Sequence, residues 1–343
     1  MRGFGVRNGT PATVSDAEPW WARWVSVHGM AEELFYDEFS MFRDNADEYG
    51  VPWKGEPTVR RETVVVEPST GRSLSALVWG TEDPEIVLLH GGAQNAHTWD
   101  TVALALDRPL VAIDLPGHGH SDHRDDGPFG PRENATDVAV AIRALAPDAA
   151  MVVGMSLGGL TSIALAAHAP DLVRKLVLVD VTPGVDKERA APIAQFVSGP
   201  ESFESFDEIL QRTIEFNPTR SVESLRRGVL HNAMPREDGR WVWRYQRPRA
   251  MELALREDGT PAQPDDPPIF DFTLLWDDVS NIQVPVMLLR GTTLGSVVTD
   301  AHAEEFARRQ PTARIISVEG AGHSLQGDKP VETAVLLEDF LES

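Results

Sequence analysis

Ser156 stands in Gly154-Met155-Ser156-Leu157-Gly158-Gly159, directly after the apolar run Met151-Val152-Val153 and before a helical pattern of Leu160, Ile163, Ala164 and Ala167. A serine hydroxyl is a poor nucleophile until it is presented, clear of its own backbone, to a base. A sharp strand-to-helix turn does this, and small residues on either side relieve the crowding such a turn creates. The helix that starts there also points N–H groups and its positive dipole end toward developing negative charge. Alone, G-x-S-x-G could be an ordinary tight turn. Its place between a strand and a helix points to nucleophilic catalysis.

Two other segments complement it. His90-Gly91-Gly92-Ala93 follows the apolar run Ile86–Leu89. Acyl transfer needs donors aimed at a tetrahedral oxyanion, and a glycine pair lets a loop backbone come close. The Gly92 and Leu157 N–H groups are the candidates, with His90 bracing the loop. Gly320-Ala321-Gly322-His323-Ser324 follows the last strand-like run. Small neighbours let the His323 ring swing over a sheet edge, which makes it the candidate base. His118 and His120 could ligate a metal, but no third ligand is apparent nearby. Neither metal nor cofactor is expected. Asp114 and Asp122 read as loop braces.

The elements that must hold these residues follow from pattern. Val64 and Val66 alternate, the chain turns at Ser69-Thr70-Gly71, and Leu74, Ala76 and Val78 return, which predicts a hairpin. Short unbroken apolar runs at Ile86–Leu89, Leu110–Ile113, Met151–Val153, Leu176–Val179 and Val286–Leu289, and the strand-like Ile315–Val318, are separated by helical patterns. One of these places Ala135, Val138, Ala139, Ile142 and Leu145 on one face. Strands that do not alternate are buried on both sides, as in a parallel sheet covered by helices. The predicted architecture has three parts: a helical N-terminal extension (1–57), a doubly wound core (58–182 and 285–343) and an inserted cap (183–284). The extension is helix-like from Pro19 to Tyr49 and carries Trp20, Trp21, Trp24, Phe35, Phe39 and Phe42. The cap contains the turn cluster Pro261 to Pro268 and aromatics (Phe203, Phe206, Trp241, Trp243, Trp276) that either pack its own core or line a pocket.

Thirty-one basic against 53 acidic residues give a net charge of -22, which repels phosphate backbones and anionic lipid. A small-molecule substrate is expected, with neither nucleic acid nor membrane as partner. The absence of cysteine excludes disulfides, thiolate metal sites and a cysteine nucleophile. No apolar run is long enough to cross a bilayer and no signal-peptide pattern opens the chain, so a cytoplasmic protein is the expectation.

From about Val64 onward the chain resembles the α/β-hydrolase superfamily. The motifs are His90-Gly91-Gly92, Asp114-Leu115-Pro116-Gly117-His118-Gly119-His120-Ser121-Asp122, Gly154 to Gly159, Asp180 to Pro183, and Gly322-His323. The resemblance implies a mostly parallel eight-stranded sheet flanked by helices, a mainly helical cap between strands six and seven, and Ser-His-acid catalysis. It also exposes a departure. Many members carry the acid soon after strand seven, where this chain reads Arg290-Gly291-Thr292-Thr293-Leu294-Gly295-Ser296. Asp300 is the nearest carboxylate and could simply open a helix. Asp180, ending strand six, resembles the acid of some small bacterial esterases and is preferred, because the acid must sit at the sheet edge beside the histidine. The expected activity is hydrolysis of a carboxylic ester or lactone through an acyl-enzyme by Ser156, His323 and Asp180. Carbon–carbon bond hydrolysis of a diketone-like substrate, or a slow-turnover receptor on the same fold, are the alternatives.

Overall fold

In the computed structural model, residues 36–124, 130–184, 186–246 and 272–343 are described. A short helix, α1 (Phe42–Tyr49), precedes the hairpin β1 (Val59–Glu67) and β2 (Arg72–Trp79), whose antiparallel register sets Val64 opposite Leu74. There follow β3 (Ile86–Leu89), α2 (Asp100–Leu106), β4 (Leu110–Ile113), α3 (Pro131–Leu145), β5 (Met151–Met155), α4 (Leu157–His168) and β6 (Leu176–Val179). After the inserted region come α8 (Leu275–Asn281), β10 (Val286–Gly291), α9 (Asp300–Arg309), β11 (Arg314–Val318), α10 (Leu325–Asp328) and α11 (Pro330–Glu342). The sheet has eight strands in the order β1-β2-β4-β3-β5-β6-β10-β11, antiparallel at β1–β2 and β2–β4 and parallel elsewhere.

The unbroken apolar runs are explained by the two cores. Val87 and Leu89 of β3 face one core, with Ile142 of α3, Ile163 of α4, Val279 of α8 and Phe306 of α9. Ile86 and Leu88 face the other, with Phe42 of α1, Val102 of α2 and Leu337 and Phe340 of α11. All four β3 side chains are fully buried. Each such side chain contributes about 2 kcal/mol, and a charge at Leu88 would lose this and add a desolvation cost.

Within the inserted region lie α5 (Lys187–Val197), β7 (Ser202–Phe203), α6 (Phe206–Phe216), α7 (Val222–Asn232), β8 (Ala233–Pro235) and β9 (Trp241–Trp243). Besides its helices it holds a small antiparallel sheet, β7-β9-β8. Alternation too short to read from sequence builds that sheet. Of the N-terminal extension, α1 packs on the sheet body through Phe42, whose ring lies 4.8 Å from Trp79. The readings placed on Trp20, Trp21, Trp24 and Phe35, and on Pro261 to Pro268, lie outside the described residues.

Candidate active site

The site is assembled at the carboxyl edge of the parallel strands: Ser156 is the next residue after β5 and Asp180 the next after β6, while His323 lies in the loop after β11. Met155 pairs with Val179, and Ser156 N donates to Val179 O at 3.3 Å, so Ser156 and Asp180 leave adjacent strands side by side. Ser156 turns at φ 50, ψ -118, a conformation costly to a residue with a Cβ. The turn closes only because its flanks are bare. A Cβ on Gly154 would lie 2.4 Å from Gly158 O, and one on Gly158 2.4 Å from Leu89 O. Leu157 begins α4, so its N–H has no acceptor within the helix.

Asp180 is fully buried (0% exposed) and also takes a positive φ, 46. Its Oδ1 accepts from Gly291 N at 3.0 Å and Ser296 Oγ at 2.5 Å; its Oδ2 accepts from Val297 N at 2.9 Å. The fourth partner is His323, whose Nδ1 lies 2.9 Å from Oδ2. A buried carboxylate can only accept, so Nδ1 carries the proton and Nε2 is left as the basic nitrogen. The loop after β10 thus contributes no carboxylate; it wraps the one that β6 supplies. Asp300 lies apart from this cluster. Its side chain is 86% exposed and accepts from Arg290 Nη1 at 2.6 Å, while Thr299 caps α9 by accepting from His302 N.

The loop after β3 lies against the serine: a Cβ on Gly91 would be 3.2 Å from Ser156 Cβ. Its backbone is pinned group by group. His90 Nε2 accepts from Leu115 N at 2.9 Å, so its Nδ1 bears the proton and donates to Gly91 O at 2.7 Å. Gly91 N donates to Gln94 Oε1 at 3.2 Å, and Ala93 N to His118 Nε2 at 3.1 Å. Among the described residues the Gly92 N–H finds no acceptor, and Gly92 is exposed. Because the peptide is planar and trans, holding Gly91 O fixes the opposite direction of Gly92 N–H. Gln94 then ties this loop to the histidine's, donating to Ser324 Oγ at 3.2 Å.

Burial pushes the His90 imidazole below its ordinary value and takes His118 down to about 3, so both brace as neutral rings. Both nitrogens of His118 are engaged, by Ala93 N and by Pro116 O, which leaves no lone pair for a metal. Burial would raise Asp114, but Arg61 and the His120 and Ala96 amides hold it below the usual carboxylate range. Asp122 accepts from Ser73 N and Oγ. Ser296, Gln94 and Asn232 are parts of this framework that pattern reasoning missed.

Elsewhere, His97, Asp100 and His231 offer ligand atoms within 4.8 Å of one another. The two rings lie face to face, centroids 3.8 Å apart and planes at 12°. An ion is bound in the plane of an imidazole, and one ion cannot lie in two parallel planes. This arrangement suits a stacked pair in which Asp100 hydrogen-bonds His97 rather than a metal centre. Among the described residues no helix is long and apolar enough to cross a membrane.

The alpha/beta hydrolase family profile matches residues 86–336. The chain belongs to this family. It is 44% identical over 314 residues to esterase Rv0045c of Mycobacterium tuberculosis, covering 90% of this chain and 96% of that protein. The crystal structure of that esterase superposes with a TM-score of 0.72 at 42% identity, over 90% of this chain and 99% of the other. A second relative, the 2-(acetamidomethylene)succinate hydrolase of Mesorhizobium japonicum, is 27% identical over 263 residues, covering 76% of this chain and 88% of that protein. The chain is therefore an α/β-hydrolase-fold enzyme of the esterase type.

Proposed function

We propose that this α/β-hydrolase cleaves a carboxylic ester or lactone of a small molecule through an acyl-enzyme formed on Ser156. The observation that carries this reading is the 2.9 Å contact of His323 Nδ1 with buried Asp180, at the sheet edge where Ser156 leaves the adjacent strand. Ser156 Oγ attacks the carbonyl carbon as its proton passes to His323 Nε2. The Gly92 and Leu157 N–H groups receive the oxyanion. The C–O bond to the leaving alcohol breaks as His323 returns the proton to it. Water, deprotonated by the same nitrogen, then attacks the acyl carbon and releases Ser156 and the acid. Asp180 holds the ring's tautomer and stabilises its cation. The choice of an ester over a carbon–carbon bond is supported by the relative that is 44% identical and is an esterase. The cap insertion would select the acyl group. Ser156→Ala should leave the fold intact and lower turnover of p-nitrophenyl esters by several orders of magnitude. A variant keeping more than about a tenth of the wild-type kcat would remove this mechanism.

A further inference from the structure

The cap reaches the proposed oxyanion loop at the end of α7. Asn232, the last residue of α7, donates from Nδ2 to Ala93 O at 2.7 Å, while its Oδ1 accepts from Asn95 Nδ2 at 3.2 Å. The amide orientation is fixed by its partners, since a carbonyl oxygen can only accept. Asn95 Nδ2 also donates to His231 O at 3.1 Å, and the His231 ring stacks on His97, so the end of α7 is docked firmly on the core. Ala93 needs such support. It is a non-glycine residue at φ 60, a left-handed conformation that costs about 1 kcal/mol or more. Its N–H is held by His118 and its C=O by Asn232, and it directly follows Gly92.

We infer that Asn232 is a positioning residue: a cap side chain that holds Ala93 in its left-handed turn and so keeps the Gly92 N–H directed at the oxyanion. The inference rests on the serine-hydrolase reading above, and the experiment separates the two. Asn232→Asp is isosteric and keeps the acceptor for Asn95, but it has no proton for Ala93 O. Asn232→Ala loses both bonds. In the full-length protein, Asn232→Asp should lower kcat for p-nitrophenyl esters about tenfold, a fraction of the ~100-fold typical for deleting an oxyanion donor, with KM within about twofold. Binding of a trifluoromethyl ketone, whose adduct places an oxyanion in the hole, should weaken by a similar factor. Asn232→Gln, which keeps the amide donor, should recover part of the rate. Wild-type kcat and unchanged ketone affinity in Asn232→Asp would overturn the inference, as would a rate loss in Asn232→Ala that Asn232→Asp does not share, since that marks cap docking alone. Ser156→Ala run alongside reports on the underlying mechanism: if it stays active, the failure lies there and not with Asn232.

Discussion

Asp180 Oδ2 and His323 Nδ1 meet at 2.9 Å although 143 residues separate them, and three further donors, Gly291 N at the end of β10 and Ser296 Oγ and Val297 N in the loop after it, complete the carboxylate's shell. A carboxylate so held is a fixed acceptor. The other candidate, Asp300, is spent on an exposed ion pair with Arg290. Asp180→Asn should therefore lower kcat at least ~100-fold, because the amide can present the wrong group to Nδ1 and disturb the ring's tautomer. Asp300→Asn should change kcat less than about threefold, since exposed pairs contribute little. Steady-state kinetics of the two variants on one activated ester decides the matter. The reverse ranking would move the acid to Asp300.

Ser296 bears on the same carboxylate. It is buried, and its Oγ donates to Asp180 Oδ1 at 2.5 Å. Hydrogen bonds to charged groups are worth about 1.5–3 kcal/mol. Ser296→Ala should lower unfolding stability by about that amount and kcat by roughly three- to tenfold, with KM unchanged. An unaltered kcat alongside lost stability would make Ser296 a packing residue only.

How far the sequence foretold this site depended on whether the signal was local. Ser156, Gly92 and His323 stood out as candidates because the small residues their loops need are local: the glycines that the strained turn requires lie within four positions of the serine. The strands were legible because two-sided burial leaves unbroken apolar runs, as in Ile86–Leu89. Ser296 and Asn232 were not. Each acts on a partner more than a hundred positions away, Asp180 and Ala93, and nothing beside either residue marks that distant contact. A weak clue to Ser296 existed. The loop that holds the acid in many relatives still had to do something here, and it supplies donors in place of a carboxylate. The small sheet β7-β9-β8 was hidden for another reason: strands of two or three residues are too short to show a period.

A buried charge cluster makes stability depend on pH. Burial alone would lower His97, but Asp100, at 2.9 Å, and Glu38 outweigh it and raise its pKa from 6.5 to about 9. Glu38 would likewise be raised by burial, yet hydrogen bonds from His97 and Arg61 bring it from 4.5 to about 2. Burial pushes Asp100 up, which offsets part of the gain. A raised histidine contributes stability that is complete below its unfolded pKa and disappears as pH rises through the folded one. Unfolding free energy measured by urea should thus fall by on the order of 1 kcal/mol between about pH 6.5 and about pH 9.5. In His97→Gln this loss should be absent. A lowered carboxylate behaves oppositely: the Glu38 contribution is present above about pH 4.5 and fades as pH falls toward 2. An equal alkaline loss in wild type and His97→Gln would place its origin elsewhere.

Phe203 and Phe206 are buried, and the Trp243 ring has Phe196 at 5.5 Å, Phe203 edge-on at 5.9 Å and Tyr245 at 5.9 Å. Trp241 packs edge-on against Phe206 at 5.2 Å. Trp276 belongs to a different neighbourhood, with Phe306 of the sheet body at 6.5 Å. Trp243 therefore has aromatic partners on several sides, each adding about 0.5–1.5 kcal/mol beyond area burial. Trp243→Ala should cost about 2 kcal/mol of stability, less than full burial of such a ring would imply. If its work is to pack the cap, the variant should keep the wild-type dependence of kcat/KM on acyl length, which can reach ~0.8 kcal/mol for each methylene buried. A series of p-nitrophenyl esters of increasing acyl length, measured below the melting temperature of the variant, reads both quantities. A flattened slope with unchanged stability would instead put the Trp243 ring in the acyl pocket, and would make the cap sheet part of the wall that selects the substrate.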